Sequence, residues 1–539
     1  MNGIERNGKS GTRSKRLLTV TLGLATILSA CSGSSTGSAV EGETLAAEKV
    51  TLKVEVFDRG NSPAGMSIDN NFLTNFVQES FGDPNQIDVQ FVPIPRSEEV
   101  QKLNVLMASA DDVPDLVFTY DASTFHRYAS QGGLTDVGAL LDEYGPNLKA
   151  FLGEDTLKYG QVDGEQLAIP GRRLVLGKYA SYIRQDWLDE LGLPVPESTE
   201  QLYETLKAFK EKDPGDTGGK VIPLGMSIAP AQYESLLWSF VEPLTEEQQY
   251  TLTQKLGSSD FPVLLPGFKE GLRFMNKLYN EGLISKDFGL DVDKKQVNQD
   301  LQNGLVGVYS EDAGELYFDY GSGSTYGNLQ MNVPEAVITP FDPYTSSEGK
   351  HPKPGYAPNA MYLMIPKSSE RAIEAIKYLD WMASGNNLFF MQNGVEGENY
   401  TLADGIPVPN ADAEQSVKER LYNYGDMAII VNGKYMGDPE LNNEAYIRQT
   451  PKQFHDLMRK SVEISNTDKI DQIVMSRPIE AEAKYGNALT DKYNELIVKT
   501  AMVSPDKFDA TYDSIMKEYM AGGGQAILDE RKEVYESMK

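Results

Sequence analysis

Cysteine and histidine are almost absent from this chain. Its 539 residues include one cysteine, Cys31, and three histidines. A single cysteine excludes an intrachain disulfide, and so few Cys and His side chains exclude a Cys/His zinc site and argue against a Cys–His nucleophile pair. Positive charge is also scarce, because 50 Lys and Arg stand against 79 Asp and Glu, which gives a formal net charge of −29. This deficit argues against a nucleic-acid-binding protein, which needs basic surface to displace counterions.

Residues 1–30 have the pattern of a secretion signal. Three basic residues at 13, 15 and 16 precede an apolar run at 17–28, which is too short for a permanent membrane span. Leu28-Ser29-Ala30-Cys31 follows and resembles the bacterial lipoprotein box, in which the cysteine is lipidated. The alternative is an ordinary signal peptide with an incidental cysteine. Residues 31–49 are rich in Ser, Gly, Ala and Glu and are predicted to form a flexible tether.

Strand and helix patterns alternate after residue 50. Alternating apolar residues at 51–57 and 87–91, and the apolar stretch 115–119, predict strands separated by helices at 70–80 and 98–109. This order predicts a parallel sheet that is covered on both faces. The chain is too long for one ordinary domain, so two or three lobes are expected. The last 130 residues have a mostly helical pattern.

The stretch from 163 to 213 is interpreted as the first crossing between two lobes. An apolar strand piece ends at Pro170-Gly171, a pair that breaks helices and strands alike. Alternation from Tyr179 to Ile183 predicts the next strand. Ser198 with Gln201 three residues later is a capping-box pattern and opens a helix.

An ordered set of motifs relates the chain to a known family. The motifs are, in order, Lys102–Ser109 with Pro114–Val117, Asp163–Pro170, Tyr182–Leu188, Leu206–Pro214, Tyr279–Ile284, Ile365–Ser368 and Gly394–Gly397. This set resembles the bacterial extracellular solute-binding proteins of ABC transporters. Within them it is most similar to the large lipoprotein-type oligosaccharide binders, which include alginate-binding and rhamnogalacturonan-type binding proteins. Each motif alone is weak, but the set spans nearly the whole mature chain.

The resemblance implies an α/β fold of the two-lobe periplasmic-binding-protein type II class. The N-terminal lobe is expected to comprise residues 50–170 plus 355–400, and the C-terminal lobe residues 171–354 plus 401–539. The ligand is expected in a cleft between the lobes, which are joined by hinge crossings, and closure around it is a hinge motion.

The function that the resemblance implies is capture, not catalysis. The chain is expected to be a monomeric receptor, lipid-anchored through Cys31 on the extracellular face of a Gram-positive cell membrane. It would bind a neutral or acidic oligosaccharide and deliver it to the permease subunits of an ABC importer, without a cofactor and without nucleic acid. One alternative is a peptide or other solute on the same scaffold. Another is an extracellular glycoside hydrolase, which needs two carboxylates across a cleft.

Candidate ligand residues follow the predicted strand ends. A sugar is bound by aromatic faces and by side chains that donate to and accept from its hydroxyls, while arginine suits a sugar carboxylate. Each candidate has a plainer alternative: a core position for Trp238, interlobe salt bridges for the Arg172-Arg173 pair, and a solvated loop for Glu311 or Asp312. The full set is Arg59, Tyr120, Asp121, Arg172, Arg173, Lys178, Tyr179, Trp238, Glu311, Asp312, Tyr356, Asn359 and Glu396.

The loop after residue 212 departs from the alginate-type pattern, which carries a calcium loop at this point. Calcium requires six to eight oxygen ligands. Here Gly215, Gly219 and the apolar Val221-Ile222 leave too few side-chain oxygens. We therefore expect no bound metal in this loop.

Overall fold

The computed structural model describes residues 49–109, 112–252, 263–319, 323–470, 477 and 479–539. The signal sequence, Cys31 and almost all of the tether lie outside these residues. Lys49–Lys539 form one compact unit.

Strands occur in short segments along the whole unit. They are β1 (Val50–Asp58), β2 (Ile87–Pro95), β3 (Val117–Thr119), β4 (Gln161–Val162), β5 (Glu165–Gln166), β6 (Ile169–Arg173), β7 (Tyr179–Arg184), β8 (Ile222–Leu224), β9 (Val306–Asp312), β10 (Ile338–Phe341), β11 (Lys353–Pro354), β12 (Asn359–Met364), β13 (Tyr400–Ala403), β14 (Ile406–Pro409), β15 (Val431–Asn432) and β16 (Lys469–Ile470).

Helices connect these strands and dominate the C-terminal part. They are α1 (Phe72–Val77), α2 (Asp83–Asn85), α3 (Glu99–Ser109), α4 (Ala122–Ser130), α5 (Gly138–Tyr144), α6 (Pro146–Leu152), α7 (Glu154–Leu157), α8 (Gln185–Leu191), α9 (Thr199–Lys212), α10 (Glu234–Trp238), α11 (Glu246–Leu252), α12 (Phe268–Asn280), α13 (Lys295–Gln302), α14 (Thr325–Asn332), α15 (Ala372–Ala383), α16 (Asn387–Asn393), α17 (Gln415–Lys418), α18 (Tyr424–Met427), α19 (Pro439–Ile447), α20 (His455–Asn466), α21 (Glu480–Met502), α22 (Phe508–Tyr519) and α23 (Gln525–Ser537).

The first sheet belongs to the N-terminal lobe. Its strand order is β15-β6-β12-β3, with β12 antiparallel to both neighbours and β15 parallel to β6. Strands β1 and β2 form a parallel pair next to this sheet. Val54 of β1 forms a parallel β-bridge with Leu116, which directly precedes β3. The expected β-α-β-α-β start with parallel strands is thus confirmed.

The second sheet belongs to the C-terminal lobe and has the order β10-β7-β9-β8. Strand β7 runs antiparallel to β9 and β10, and β8 runs parallel to β9. Helix α9 covers it and begins as predicted, since the Ser198 side chain accepts a hydrogen bond from the Gln201 amide. Its apolar face buries Leu202, Leu206 and Phe209.

The two lobes have separate hydrophobic cores. The first contains residues of β1, β3, β12 and α15, and also Met427–Val431 near the end of the chain. The second contains Trp187, α9 and α12 together with α21 to α23. The molecule is therefore a two-lobe α/β fold, and each lobe is assembled from distant parts of the sequence.

The chain passes between the lobes in three segments. The first joins β6 to β7, the second joins β10 to β12 through β11, and the third leads from β15 to α19 and α20. Strand β11 pairs with β16 of the second lobe, and the Tyr356 amide donates to the Leu176 carbonyl at 2.9 Å. The first two segments thus lie side by side.

Several local expectations were wrong. The spacing of Ile373, Ile376 and Leu379 predicts that all three point inward from a helix at 369–383, but Ile373 is 38% exposed. The sequence at 321–327 predicts a loop, but α14 begins within it at Thr325, where the Ser324 side chain accepts a hydrogen bond from the Gly327 amide. The prolines at 93 and 95 predict the end of the second strand. β2 does end at Pro95, but Pro93 lies within it, because an edge strand tolerates a residue that lacks an amide hydrogen. Within the described residues, no helix is long and apolar enough to cross a membrane.

Candidate functional site

The Arg172-Arg173 pair lies at the end of β6, where the first crossing begins. Successive strand residues point to opposite faces, so the two guanidinium groups diverge. Arg172 donates from Nη1 to the Phe151 carbonyl at 3.2 Å. Arg173 lies 4.3 Å above the ring centroid of Tyr356 and donates to Asn432 Oδ1 at 3.4 Å. Of the two, Arg173 is the one that contacts another crossing.

Tyr356 is the meeting point of the two lobes. Its hydroxyl donates to Asp312 Oδ1 at 3.0 Å, while its ring receives the Arg173 guanidinium of the first lobe. Burial raises the pKa of Asp312, and the neighbouring Glu311 adds to this effect. Burial, together with Asp312, also raises the pKa of the Tyr356 hydroxyl. The hydroxyl therefore stays protonated and acts as a donor.

Lys178 and Tyr179 extend this contact into the second lobe. The ammonium of Lys178 lies 4.8 Å from the Tyr179 ring centroid and 5.4 Å from that of Tyr356. It also lies 3.8 Å from the carboxylate of Glu234, whose side chain is fully buried. Burial and the charge of Glu234 raise the pKa of Tyr179. We refer to Arg173, Lys178, Tyr179, Glu234, Asp312 and Tyr356 as the crossing cluster.

Glu311 and Asp312 at the end of β9 have different environments. Glu311 is 1% exposed, and Lys294 donates to both of its carboxylate oxygens at 2.8 Å. The Tyr309 hydroxyl donates to it as well, at 2.9 Å. Glu311 is thus held inside the second lobe, while Asp312 faces the crossing.

A second group of candidates lies at the carboxyl ends of β1 and β3. Arg59 donates from Nε and Nη2 to the two carboxylate oxygens of Asp426, each at 2.7 Å. The Tyr120 side chain hydrogen-bonds to Asn432, and burial raises the pKa of its hydroxyl. Arg96 lies 5.2 Å above the Tyr120 ring. Because Asn432 also contacts Arg173, this group is continuous with the crossing cluster.

The remaining candidates lie in other environments. Asp121 caps α4 by accepting from the Thr124 amide at 2.6 Å. Trp238 is 3% exposed and belongs to a small apolar core. Asn359 is buried beside Arg172 and hydrogen-bonds to the Tyr362 hydroxyl. Glu396 is exposed, and its backbone forms an isolated β-bridge with Tyr400.

Several residues of this region were missed in the sequence. They are Asp426, Asn432, Glu234 and Lys294, each of which contacts a predicted residue. Asn432 carried a usable signal, since it follows the apolar run 428–431 as a strand end would. Lys294 and Glu234 had no such signal, because only the fold brings them to Glu311 and Lys178.

A cavity of about 560 Å³ opens beside the second crossing. Its lining includes Glu242, Lys350 and Asp468, together with Lys469 and Ile470 of β16. Since β16 pairs with β11, one wall of the cavity is continuous with the crossing. The volume falls in the range of small-molecule pockets.

In the loop after α9, the first carboxylate, that of Asp213, accepts hydrogen bonds from residues of the same loop. Asp213 Oδ1 accepts from the Thr217 amide at 3.1 Å and from the Thr217 hydroxyl at 2.6 Å, and Oδ2 accepts from the Gly219 amide at 2.9 Å. Among the residues that the structure describes, no group of three His, Cys, Asp or Glu side chains could hold a metal ion. The prediction that this loop binds no calcium stays a prediction.

Comparison with known proteins gives related sequences and structures. The lipoprotein LipO of Bacillus subtilis (strain 168) is 26% identical over 472 residues, which cover 84% of this chain and 87% of LipO. YtcQ, a polygalacturonan/rhamnogalacturonan-binding protein of the same strain, is 23% identical over 542 residues, covering 97% of this chain and 98% of YtcQ. The crystal structure of the alginate-binding protein AlgQ2 without calcium ion has a TM-score of 0.67 at 20% identity, covering 91% of this chain and 99% of that one. This last likeness shows the two-lobe fold.

A match to a family model identifies the family of the chain. The model for bacterial extracellular solute-binding proteins matches residues 68–384, more than half of the chain and parts of both lobes. The match includes the first two crossings and all six residues of the crossing cluster. The chain therefore belongs to the bacterial extracellular solute-binding proteins.

Proposed function

We propose that this protein captures an oligosaccharide between its lobes and delivers it to an ABC importer. The observation that carries the proposal is the crossing cluster, in which Arg173 and Asp312 from different lobes meet on Tyr356. A ligand that contacts this cluster would contact both lobes at once, and it would favour the closed form that a transporter recognises. The naming of YtcQ and AlgQ2 for polysaccharide binding supports an oligosaccharide as the ligand class.

The chemistry of the cluster suits a sugar. Tyrosine rings offer faces for the apolar CH surface of a pyranose, and Asn432, Asp312 and Tyr356 offer acceptors and donors for hydroxyls. Trp187 and Trp238 are both buried in cores, so tyrosines are the better candidates for stacking. Besides Tyr120 and Tyr356, Tyr446 is such a candidate, since it donates to the Ala313 carbonyl just after β9 at 3.3 Å and its ring lies 5.4 Å from that of Phe318.

The predicted site residues and lobe boundaries belong to this proposal. The proposed first lobe is 50–170 plus 355–400. Strand β6, which pairs with β12, extends it to Arg173, and the core position of Met427–Val431 adds a further segment. The proposed second lobe, 171–354 plus 401–539, then begins after Arg173 and keeps the C-terminal helices. Lipidation of Cys31, a monomeric state, contact with two permease subunits and the absence of catalysis complete the proposal.

A thermal-shift screen tests the ligand class. The lipoprotein, purified in detergent, is melted with oligosaccharides and with peptides, because a ligand that binds only the native state raises the melting temperature. A shift with an oligosaccharide that is lost in Tyr356→Ala is the expected result. A shift with peptides alone would overturn the sugar assignment.

Two further measurements test the absence of catalysis and the lipid anchor. Long incubation of the protein with the bound oligosaccharide should release no shorter product, and any turnover would contradict a receptor without catalysis. Palmitate labelling in cells should be lost in Cys31→Ala. Retained labelling would contradict the anchor.

A further inference from the structure

The cations at the crossings and at the first-lobe strand ends already have internal partners. Arg59 holds both oxygens of Asp426 at 2.7 Å in a fork, which is the geometry that a sugar carboxylate would need. The side chain of Asp426 is 7% exposed and that of Arg59 is 48% exposed. The protein itself thus supplies the anion for its outermost arginine.

Three further cations also have partners inside the protein. Lys294 is held by both oxygens of Glu311, and Lys178 lies 3.8 Å from Glu234. Arg173 lies over the ring of Tyr356, whose hydroxyl is bound to Asp312. These four cations therefore lie among four carboxylates, those of Asp426, Glu311, Glu234 and Asp312. Arg172, the other arginine of the first crossing, donates to the Phe151 carbonyl instead.

Because the carboxylates of the protein already neutralise these cations, an acidic ligand is disfavoured. To pair with Arg59, a uronate carboxylate would have to displace Asp426, which would remain buried without its counter-charge. Because the carboxylate of Asp426 is buried while Arg59 is half-exposed, breaking the pair is unfavourable, and we expect it to lower the affinity at least 30-fold. The hydroxyls of a neutral sugar carry no such cost, because each donates to a carboxylate oxygen and accepts from an arginine or amide hydrogen.

We propose that the ligand of this protein is an uncharged oligosaccharide, and that the Arg59–Asp426 pair is what rejects uronic acids. The inference rests on the proposed function and narrows it to one chemical class. It separates this chain from YtcQ and AlgQ2, which are named for polymers that contain uronic acids.

A matched ligand pair tests the inference. Oligogalacturonates and the neutral oligosaccharides obtained from them by carboxyl reduction are titrated against the full lipoprotein in detergent, beside neutral fructo-, manno-, gluco- and galacto-oligosaccharides and acidic mannuronate and guluronate oligomers. We expect at least one neutral series to bind, with every acidic series at least 30-fold weaker. The affinity for the neutral ligand should also stay constant between 50 and 500 mM salt, because screening weakens only charged contacts.

The outcomes distinguish a failure of the neutral-ligand inference from a failure of the receptor function. Tighter binding of an acidic series would overturn the neutral-ligand inference and leave the receptor function standing. Binding of neither class would overturn both.

A variant pair tests the role of Asp426. Asp426→Asn removes the internal anion of Arg59 while keeping the side-chain shape, so uronate binding should strengthen at least 10-fold. Asp509→Asn is the control, since Asp509 forms a similar fork with Arg273, at 3.2 and 2.8 Å, on an exposed surface of the second lobe. Both variants remove one negative charge, so an equal gain in both would overturn the assignment, as would no gain in Asp426→Asn. A melting curve for each variant confirms folding, and the salt series on the unmodified protein provides a test that depends on no variant.

Discussion

The two lobes place opposite charges at the ends of their central strands. In the first lobe β6 ends in Arg172 and Arg173, and in the second β9 ends in Glu311 and Asp312. Both strand ends reach Tyr356, one through its ring and the other through its hydroxyl. The arginines are half-buried, whereas Glu311 is almost fully buried. Of these two strand ends, the one in the second lobe carries the more deeply buried charge pair, Lys294–Glu311, and this pair should be costly to break.

Loss of the Lys294 ammonium should have the largest effect on stability. Lys294→Met leaves the buried carboxylate of Glu311 without its counter-charge, so we expect the free energy of unfolding to fall by about 3 kcal/mol. Urea unfolding followed by circular dichroism measures the change. The adjacent Lys295→Met is the control, because Lys295 is 84% exposed and its partner Asp293 is 65% exposed; it should change stability by less than about 0.5 kcal/mol. Equal effects would contradict the asymmetry between buried and exposed pairs.

The first lobe buries an acid that contacts no cation among the described residues. Glu55 is 1% exposed, and one of its oxygens accepts from the Phe118 amide at 3.0 Å. Burial raises its pKa to about 8, with the charge of Glu99 adding to the shift. Between the ordinary glutamate pKa and about 8, the folded protein holds a proton that the unfolded chain has lost. Stability is therefore highest on the acidic side of this window and falls as the pH rises through it.

Glu55→Gln should remove this pH dependence. The melting temperature of the variant relative to the unmodified protein should rise between pH 5 and pH 8, corresponding to about 3 kcal/mol. Glu98→Gln on exposed surface is the control and should give a flat difference. A flat difference for Glu55→Gln as well would mean that Glu55 is ionised in the folded protein.

The two arginines of β6 should differ in their effect on ligand binding. Arg173→Gln removes a contact between the crossings, and we expect the ligand affinity to fall about 10-fold, or about 1.4 kcal/mol. Arg172→Gln should change the affinity by less than about 3-fold, because Arg172 contacts the Phe151 carbonyl on the opposite face. Calorimetric titration measures both. A larger effect at Arg172 would place the ligand on the other face of the strand.

The smallest effect is expected in the loop after α9 of the second lobe. Asp213→Asn removes one acceptor from a loop closed by three hydrogen bonds to this side chain, so stability should fall by about 1 kcal/mol. The neighbouring Asp216→Asn is the control, since Asp216 is exposed, and it should be nearly neutral. Calcium should leave the melting temperature of all three proteins unchanged. A calcium-dependent rise that is lost in Asp213→Asn would show that the loop binds the ion.

The sequence predicted local structure well and long-range contacts poorly. The strands at 51–57 and 179–183 and the cap at Ser198 were found because hydrophobic alternation and capping are properties of neighbouring residues. The mostly helical C-terminal part was also confirmed, but β15 and β16 within it were missed, because two-residue strands are too short for a periodic pattern. The candidate site was found only in part: Arg59 was named, but Asp426, 367 residues further along the chain, carries no signal of their contact.

The late position of Met427–Val431 has a consequence for secretion. These residues complete the first core, which begins at Leu52, and the second core is completed by residues as late as Val534. A chain that crosses a membrane from its N-terminus must therefore pass most of its length before either core can close. The interleaved order of the segments therefore prevents either core from being completed while only the N-terminal part of the chain is available.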